Sequence, residues 1–389
     1  MNKEMKPIYL IVVLTLLLIS CKKPADTPVD IRIIYPVSKF AMGADLSYAN
    51  QILDHGGVYK DSGTMEDPYV IFRKYGANVI RIRLFHNPTW TKEVYGTDGV
   101  QMYNDFEDVK KGIGKAKAAG LQVCLDFHYS DTWAGPSKQE IPAAWKSLSL
   151  PVLSDSIHNY TLKTLQKLGA AGLMPEYVQT GNEINPGLLL TLGNRWNGNE
   201  ANMITLLNSA ISAIRTAGAT GNIHPKIIIH IAQPENVMTW FYGLAEKGLT
   251  DYDIIGFSYY YMWSSTPLAN ISNIVSLIRT TYKKDVMIME TVYPWTTGWA
   301  DSYSNLIDES ALVSGYPSTE AGQYKYMHAL TQEIIDGGGK GIFTWEPDWI
   351  TSQMKDLWGT GSSWECNTFF DFEGNSIKGI RFMSDQYNF

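Results

Sequence analysis

The sequence predicts an α/β protein built as a single (β/α)8 TIM barrel, with long loops after the strands forming an open cleft. Two observations predict this fold class. Eight apolar, strand-like segments alternate with helix-like segments over roughly 350 residues, a length that suits such a barrel. Almost every strand-like segment also ends in polar or aromatic residues, and barrel enzymes place their active sites at those strand ends.

The elements follow from hydrophobic runs and from the residues that interrupt them. The predicted strands span residues 40–45, 79–85, 122–129, 177–182, 226–231, 254–260, 286–291 and 341–346. The predicted helices span residues 68–75, 105–119, 154–168, 200–217, 236–247, 270–282 and 319–335. Several helices are followed by glycine, a common C-terminal residue: Gly76, Gly120, Gly218, Gly248 and Gly337.

The competing architecture is an open, doubly wound sheet. Such a sheet usually carries a glycine-rich phosphate-binding turn after its first strand. Here the first strand continues into Asp45, Leu46 and Ser47, which form no such turn. An open sheet is also not expected to use every strand end, so the barrel is favoured.

Composition limits the possible partners. The net charge of -7 and the pI near 5.6 argue against a nucleic-acid partner. The 12 Trp and 23 Tyr suit core packing, and they would also serve as stacking surfaces for sugar rings. Cys124 lies in an apolar strand and is expected to be a small buried hydrophobe. We expect a monomer.

The N-terminal residues resemble a targeting signal. Lys3 and Lys6 precede an apolar run that is too short to span a membrane, and Cys21 follows in a bacterial lipoprotein-like box. We therefore expect a signal peptide over residues 1–20, a lipid anchor at Cys21, a tether over 21–37 and a catalytic domain over 38–389. This organisation predicts an exported lipoprotein at the outer membrane or cell surface, and simple secretion is the alternative.

Carboxylates at the strand ends suggest acid–base chemistry. The candidates are Asp45, Asp126, Glu183, Glu290 and Glu346. A retaining glycosidase uses two carboxyl groups about 5–5.5 Å apart. Glu183 ends the fourth strand and Glu290 the seventh, and these strands face each other across the mouth of an eight-stranded barrel. The alternative for a single strand-end glutamate is a structural ion pair.

An ordered set of short motifs accompanies these two glutamates. They are GADLS at 43–47, RIRLFHNP at 81–88, LDFHYSDTWA at 125–134, QTGNEIN at 179–185, SYY at 258–260, ETVYPW at 290–295 and TWEPDW at 344–349. With Asn182-Glu183 on strand four and Glu290 on strand seven, the set resembles clan A of the retaining (β/α)8 glycosidases. Within that clan the chain resembles glycoside hydrolase family 53, the arabinogalactan endo-β-1,4-galactanases.

The resemblance implies a role for each candidate. Glu183 would be the acid/base and Glu290 the nucleophile, while Asn182 would bind the sugar 2-hydroxyl. Arg83 would keep Glu290 ionised and oriented, or would form a structural salt bridge instead. Either Tyr259 or Tyr260 would act as a further donor, and Trp345 would stack on the sugar at the cleavage point.

Other strand-end residues have more than one interpretation. Asp126 and His128 share one face of the third strand and would either bind sugar or satisfy each other internally. A zinc site would need a third ligand, which the sequence does not offer nearby. Asp45, Glu346 and Trp133 are further candidates for the lining of the cleft.

No cofactor is expected for catalysis, and a structural Ca²⁺ is a further prediction. Some members of the family carry calcium between the loops after strands seven and eight. Candidate oxygen ligands here are Asp301, Asn305, Ser362 and Glu365. The run near Asp301 lacks the histidine of the family pattern, and a solvated polar loop is the alternative.

The expected substrates are galactan polysaccharide and galacto-oligosaccharides, cut internally in the side chains of pectin. Two other functions remain open at this point. One is the same retaining chemistry on another β-glycan, such as mannan or glucan. The other is a glycan-binding surface lipoprotein without catalysis, against which the presence of both glutamates argues.

Overall fold

The structure, a computed structural model, describes residues 32–389, and it confirms the (β/α)8 barrel. Eight parallel strands close on themselves, each paired with its sequence neighbours and the last with the first. The strands are β1 Ala41–Asp45, β2 Val79–Leu84, β3 Gln122–Phe127, β4 Tyr177–Thr180, β5 Lys226–Ala232, β6 Ile254–Ser258, β7 Asp285–Glu290 and β8 Gly341–Thr344. The predicted signal peptide, Cys21 and most of the predicted tether lie outside the described residues.

Helices surround the barrel and connect successive strands. They are α1 Ala49–Asp54, α2 Pro68–Lys74, α3 Trp90–Glu93, α4 Phe106–Ala118, α5 Leu150–Ala170, α6 Glu200–Gly218, α7 Pro234–Phe241, α8 Ile271–Tyr282 and α9 Glu320–Asp336. Asp67, Asp105 and Thr319 cap α2, α4 and α9 by accepting backbone N–H groups of the first turn. Within residues 32–389, no helix combines the length and apolarity needed to cross a bilayer.

Several strands end earlier than predicted, because the chain turns sharply where polar residues begin. Tyr129, Glu183, Gln233 and Glu346 follow strands β3, β4, β5 and β8, and each has a positive φ between 43° and 63°. Residues other than glycine rarely adopt this backbone conformation, and it is most common at functional sites. The strands β3, β4 and β8 therefore stop two residues before their predicted ends, whereas β5 continues one residue beyond its predicted end.

The interior of the barrel is apolar at one end and charged at the other. The apolar end is filled by Ala41, Val79, Cys124, Tyr177, Ile228, Ile254, Met287, Met289 and Phe343. Cys124 is fully buried there, as predicted. Toward the carboxyl ends of the strands, the fully buried Arg81 and Arg83 of β2 replace apolar side chains. Because charges buried without partners are costly, this end must be built around ion pairs.

Candidate active site

A cavity of about 820 Å³ opens at the carboxyl ends of the strands. Both candidate glutamates, Glu183 and Glu290, line it, together with Asn182. Indole rings supply much of the remaining wall: Trp133, Trp263, Trp345, Trp349, Trp358 and Trp364. Apolar walls with a few convergent polar groups are typical of ligand sites, and flat indole faces suit sugar rings.

The backbone after β4 aims Glu183 into this cavity. Gly181 has a φ of 84°, and a Cβ there would lie 2.7 Å from Cγ2 of Ile184, so any other residue would be strained and crowded. Glu183 itself has a φ of 46°. The side chain of Gln139, in the loop after β3, donates to the carbonyl oxygens of Asn182 and Glu183 at 2.7 and 3.2 Å. These contacts hold the turn in its unusual conformation.

Glu290 is held by a cation and a phenol. Its Oε1 lies 2.9 Å from Nη1 of Arg81, and its Oε2 accepts a hydrogen bond of 2.9 Å from the hydroxyl of Tyr260. Glu183 accepts a hydrogen bond of 2.6 Å from Ser258 at its Oε1. Ser258 is also the register partner of Glu290 across strands β6 and β7. The two carboxyl groups are thus linked through one short segment, residues 258–260.

Arg81 is shared among several acceptors. Its guanidinium lies 2.8 Å from Oδ2 of Asp45 and 2.8 Å from Oδ2 of Asp126, in addition to Glu290. Its Nη2 also donates to Oδ1 of Asn182 at 2.8 Å. One buried cation therefore compensates three carboxylates and fixes the orientation of the Asn182 amide.

Burial raises the pKa of both cavity glutamates. Arg81 opposes this effect at Glu290, while the charge of Glu183 adds to it. The two groups titrate as a pair, so their contacts decide which one carries the charge when one proton is bound. Glu290 contacts a guanidinium and a phenol, whereas Glu183 contacts the neutral hydroxyl of Ser258. These contacts stabilise a negative charge on Glu290 more than on Glu183.

The prediction that Arg83 holds Glu290 is wrong. Arg83 forms a close ion pair with Glu346 instead, and its guanidinium carbon lies 4.1 Å from the ring centroid of Tyr48. Arg81 takes the predicted role, because it lies one inward-facing position earlier on the same strand and reaches Glu290. The alternative considered for Arg83, a structural salt bridge, is the one the structure contains. Glu346, another candidate for the lining, is its fully buried partner.

Three further candidates lie beneath the cavity and form close polar contacts there: Asp126, His128 and Asp45. Nδ1 of His128 accepts from the backbone N–H of Ala134 at 2.9 Å, so the proton of the neutral ring is on Nε2. Nε2 lies 3.0 Å from Oδ2 of Asp126. Burial lowers the pKa of His128, which keeps the ring neutral. Asp126 and His128 thus pair with each other beneath the cavity, and Asp45 pairs with Arg81 in the same layer.

Of the two candidate donors, Tyr259 and Tyr260, only Tyr260 faces the cavity. Tyr260 lines the cavity and donates to Glu290, whereas the hydroxyl of Tyr259 donates to the carbonyl oxygen of Thr266 and is buried away from the cavity. Trp345 and Trp133 both line the cavity. Trp133 packs beside Trp358, with ring centroids 4.9 Å apart.

Sequence reasoning missed Arg81, Ser258 and His230. Nε2 of His230 lies 2.9 Å from Oγ of Ser258, and its Nδ1 lies 2.9 Å from Oδ1 of Asn182. A signal for His230 was present, because a histidine interrupts an otherwise apolar run in β5. Ser258 offered none, since a serine at a strand end is unremarkable by itself.

Three of the four predicted calcium ligands, Asp301, Ser362 and Glu365, lie close together in the loops after β7 and β8. Oδ2 of Asp301 accepts from the backbone N–H of Ser362 at 2.9 Å, and the hydroxyl of Thr351 contacts carboxylate oxygens of both Asp301 and Glu365. Burial and the charge of Asp301 raise the pKa of Glu365. The side-chain oxygen and nitrogen of Asn305 are buried and have no hydrogen-bond partner within residues 32–389. No group of three or more His, Cys, Asp or Glu side chains in that range is arranged to hold a metal.

Comparisons with known proteins show the family and the fold of this chain. The model of glycosyl hydrolase family 53 matches residues 41–383. An arabinogalactan endo-β-1,4-galactanase of Cellvibrio japonicus is 40% identical over 353 residues, covering 90% of this chain and 91% of its own length. An endo-β-1,4-galactanase of Bacillus subtilis is 32% identical, covering 86% of this chain and 78% of its own. The solved family 53 catalytic domain of Ignisphaera aggregans superimposes with a TM-score of 0.81 at 32% identity, covering 91% of this chain and 98% of that one.

Proposed function

The chain belongs to glycosyl hydrolase family 53, and we propose that it cleaves internal β-1,4-galactosidic bonds of galactan by double displacement at Glu183 and Glu290. The substrates would be galactan side chains of pectin and the galacto-oligosaccharides derived from them. The galactanases of Cellvibrio japonicus and Bacillus subtilis support this choice of substrate.

One observation supports the assignment of roles to the two glutamates. Both line the same cavity, yet only Glu290 contacts a guanidinium, at 2.9 Å from Arg81. A nucleophile must be ionised, and a general acid must carry a proton near neutral pH. The different surroundings of two chemically identical side chains meet both requirements.

The proposed chemistry has two steps. The carboxylate of Glu290 attacks the anomeric carbon while Glu183 donates its proton to the departing glycosidic oxygen. The shortened chain leaves, and a glycosyl ester on Glu290 remains. Glu183, now ionised, takes a proton from water as the water oxygen attacks the anomeric carbon and releases Glu290. The product keeps the β configuration.

The deciding experiment is NMR spectroscopy of the first products formed from β-1,4-galactan. We expect oligosaccharides whose new reducing ends are β before mutarotation, which reports substrate and stereochemistry together. α-Configured first products would contradict double displacement. Galactose released alone from the chain ends would contradict internal cleavage.

Two other functions can be tested with the same protein. A panel of mannan, glucan and galactan would show whether another β-glycan is hydrolysed faster, which would replace the substrate but keep the chemistry. Binding of galactan without any product would indicate a non-catalytic glycan-binding protein. Glu183 and Glu290 argue against that function, since binding alone requires neither of them.

A structural Ca²⁺ is part of the proposal, held by Asp301, Asn305 and Glu365 with oxygen from Ser362. The unpartnered amide of Asn305 and two carboxylates that share one hydroxyl group suit a hard cation. We expect EDTA to lower the thermal midpoint of the protein and Ca²⁺ to restore it, with Asp301→Asn insensitive to both. An unchanged midpoint of the wild-type protein would contradict the site.

We also propose that the chain acts as a monomer, exported and anchored by a lipid on Cys21. The supporting observation is the signal-like segment over residues 1–20. Metabolic labelling with radioactive palmitate tests it in the producing cells, with Cys21→Ala as the matched control. Equal labelling of both proteins, or labelling of neither, would contradict the anchor.

A further inference from the structure

A chain of three buried polar side chains, those of Ser258, His230 and Asn182, leads away from the carboxyl group of Glu183. Oε1 of Glu183 lies 2.6 Å from Oγ of Ser258, which lies 2.9 Å from Nε2 of His230. Nδ1 of His230 lies 2.9 Å from Oδ1 of Asn182. Ser258 and His230 are fully buried and do not line the cavity, so they act on the reaction only through other residues.

The positions of the hydrogens follow from Asn182. Its Oδ1 accepts from Nη2 of Arg81 at 2.8 Å, and its Nδ2 donates to the carbonyl oxygen of Ala134 at 2.9 Å. Oδ1 is therefore an acceptor, so Nδ1 of His230, 2.9 Å away, carries the hydrogen. Nε2 of Gln179 lies 3.2 Å from Nδ1, but it has closer acceptors for its own hydrogens, the nearest being Oδ1 of Asp126 at 2.7 Å. The other nitrogen of the neutral ring, Nε2, then presents a lone pair to Ser258. Burial and the charge of Arg81 lower the pKa of His230, which keeps the ring neutral.

The hydroxyl of Ser258 thus has one hydrogen and two acceptors. When Glu183 is ionised, the hydroxyl donates to Oε1, because a charged acceptor forms the stronger bond. When Glu183 carries a proton on that oxygen, the carboxyl group can donate to Oγ, and the hydroxyl can turn its hydrogen to Nε2 of His230. A partner for the carboxyl group is available in both protonation states, and the general acid must alternate between them.

We propose that Ser258 and His230 are positioning residues for the acid/base, Ser258 favouring the ionised form of Glu183 and His230 favouring the neutral form. The inference rests on the proposed function, since it gives Glu183 the role of general acid. The two residues act in opposite directions because they compete for a single hydrogen. The other charged or titratable groups that face Glu183 and His230 are Arg81, Asp126, His128, Tyr260 and Glu290.

The pH dependence of kcat/KM on galactan tests the proposal, because loss of the Glu183 proton sets its alkaline limb. In Ser258→Ala the ionised form loses its donor, so we expect the limb to move up by about half to one pH unit. In Ser258→Thr the hydroxyl returns, and the limb should return with it. In His230→Asn the amide can still donate to Asn182 while the acceptor at the Nε2 position is gone, so the limb should move down.

Opposite shifts of the limb in Ser258→Ala and His230→Asn would support the proposal, because general loosening of the site would not produce them. Shifts in the same direction, or a lower rate with an unchanged limb in Ser258→Ala, would overturn it. If His230→Asn fails to fold, the comparison of Ser258→Ala with Ser258→Thr still decides. A wild-type protein that leaves galactan intact would instead refute the proposed function, which separates the two failures.

Discussion

Glu183 and Glu290 are the same amino acid in the same cavity, and their neighbours give them different chemistry. Arg81 and Tyr260 contact Glu290, so its carboxylate is stabilised as a nucleophile must be. Glu183 contacts the neutral hydroxyl of Ser258, and burial raises its pKa, as the proposed general acid requires. The roles proposed here depend on these contacts more than on the identity of the residues themselves.

The first prediction at this scale concerns leaving groups. In Glu183→Gln, hydrolysis of galactan should fall by about 10²–10⁴-fold, because the departing oxygen receives no proton. Release of dinitrophenol from dinitrophenyl β-galactobioside needs no such proton and should persist as a rapid first phase, measured by stopped-flow absorbance. Glu290→Gln, the matched control, should lose activity on both substrates. Equal losses on both substrates in Glu183→Gln would contradict its role.

A second prediction concerns stability, because burial raises the pKa of Glu183. A carboxyl group with a raised pKa in the folded state favours folding at low pH, and this contribution is lost as pH rises from about 4.3 through the raised pKa. Glu183→Gln should therefore become more stable than the wild type as the pH rises, by on the order of 1–3 kcal/mol at pH 8.

Urea denaturation at pH 5 and pH 8 measures this difference. The exposed Glu246→Gln is the control, and its effect should be the same at both values. A Glu183→Gln effect that does not grow with pH would show that the carboxyl group is not held neutral by its surroundings.

At the scale of elements, left-handed residues after the strands place the functional side chains. The turn after β4 depends on Gly181, where a Cβ would come within 2.9 Å of side-chain atoms of both Ile184 and Leu188. Within two or three residues after the strand, such turns point the next side chain into the cavity. Their strain is retained because contacts such as those of Gln139 hold them.

We expect Gly181→Ala to lose stability and most of its activity, because both the positive φ and the crowding oppose a methyl group. Gly172→Ala is the matched control, since Gly172 also has a positive φ, 72°, but no atom lies within 4 Å of the added Cβ. The control should lose only about 1–2 kcal/mol and keep its kcat. Urea denaturation and initial rates on galactan measure both variants. Equal activity losses would show that crowding at Gly181 is irrelevant to Glu183.

The strands and their ends were predictable from the sequence only in part. Alternation of apolar strands and helices was enough to predict the barrel. Strand-end polarity gave five candidate carboxylates, and the facing positions of strands four and seven, with the family resemblance, selected Glu183 and Glu290. Arg81 and Arg83 occupy the same face of β2, so periodicity could not decide which one reaches Glu290. That choice depends on the height of each residue along the barrel axis, which is fixed by strand register. Tyr259 and Tyr260 were ambiguous because the strand ends at Ser258, where alternation no longer applies.

On the scale of the whole molecule, the barrel separates an apolar half from a charged half. In the charged half, at the carboxyl ends of the strands, acidic side chains outnumber cations around Glu183 and Glu290. Arg81 is one cation facing Asp45, Asp126 and the glutamate pair, while burial lowers the pKa of His128 and of His230 and keeps both rings neutral. The base of the cavity is therefore negative, which favours protonation of Glu183.

That excess of negative charge also bears on which sugars can enter. A carboxylate on a sugar ring at the cleavage point would be repelled at close range, in a buried site that salt screens only weakly. We expect oligomers of galacturonic acid to leave the rate of galactan hydrolysis unchanged, whereas neutral galacto-oligosaccharides should compete, as initial rates with added oligomer would measure. An enzyme with this preference would trim uncharged branches and stop where an acidic main chain begins.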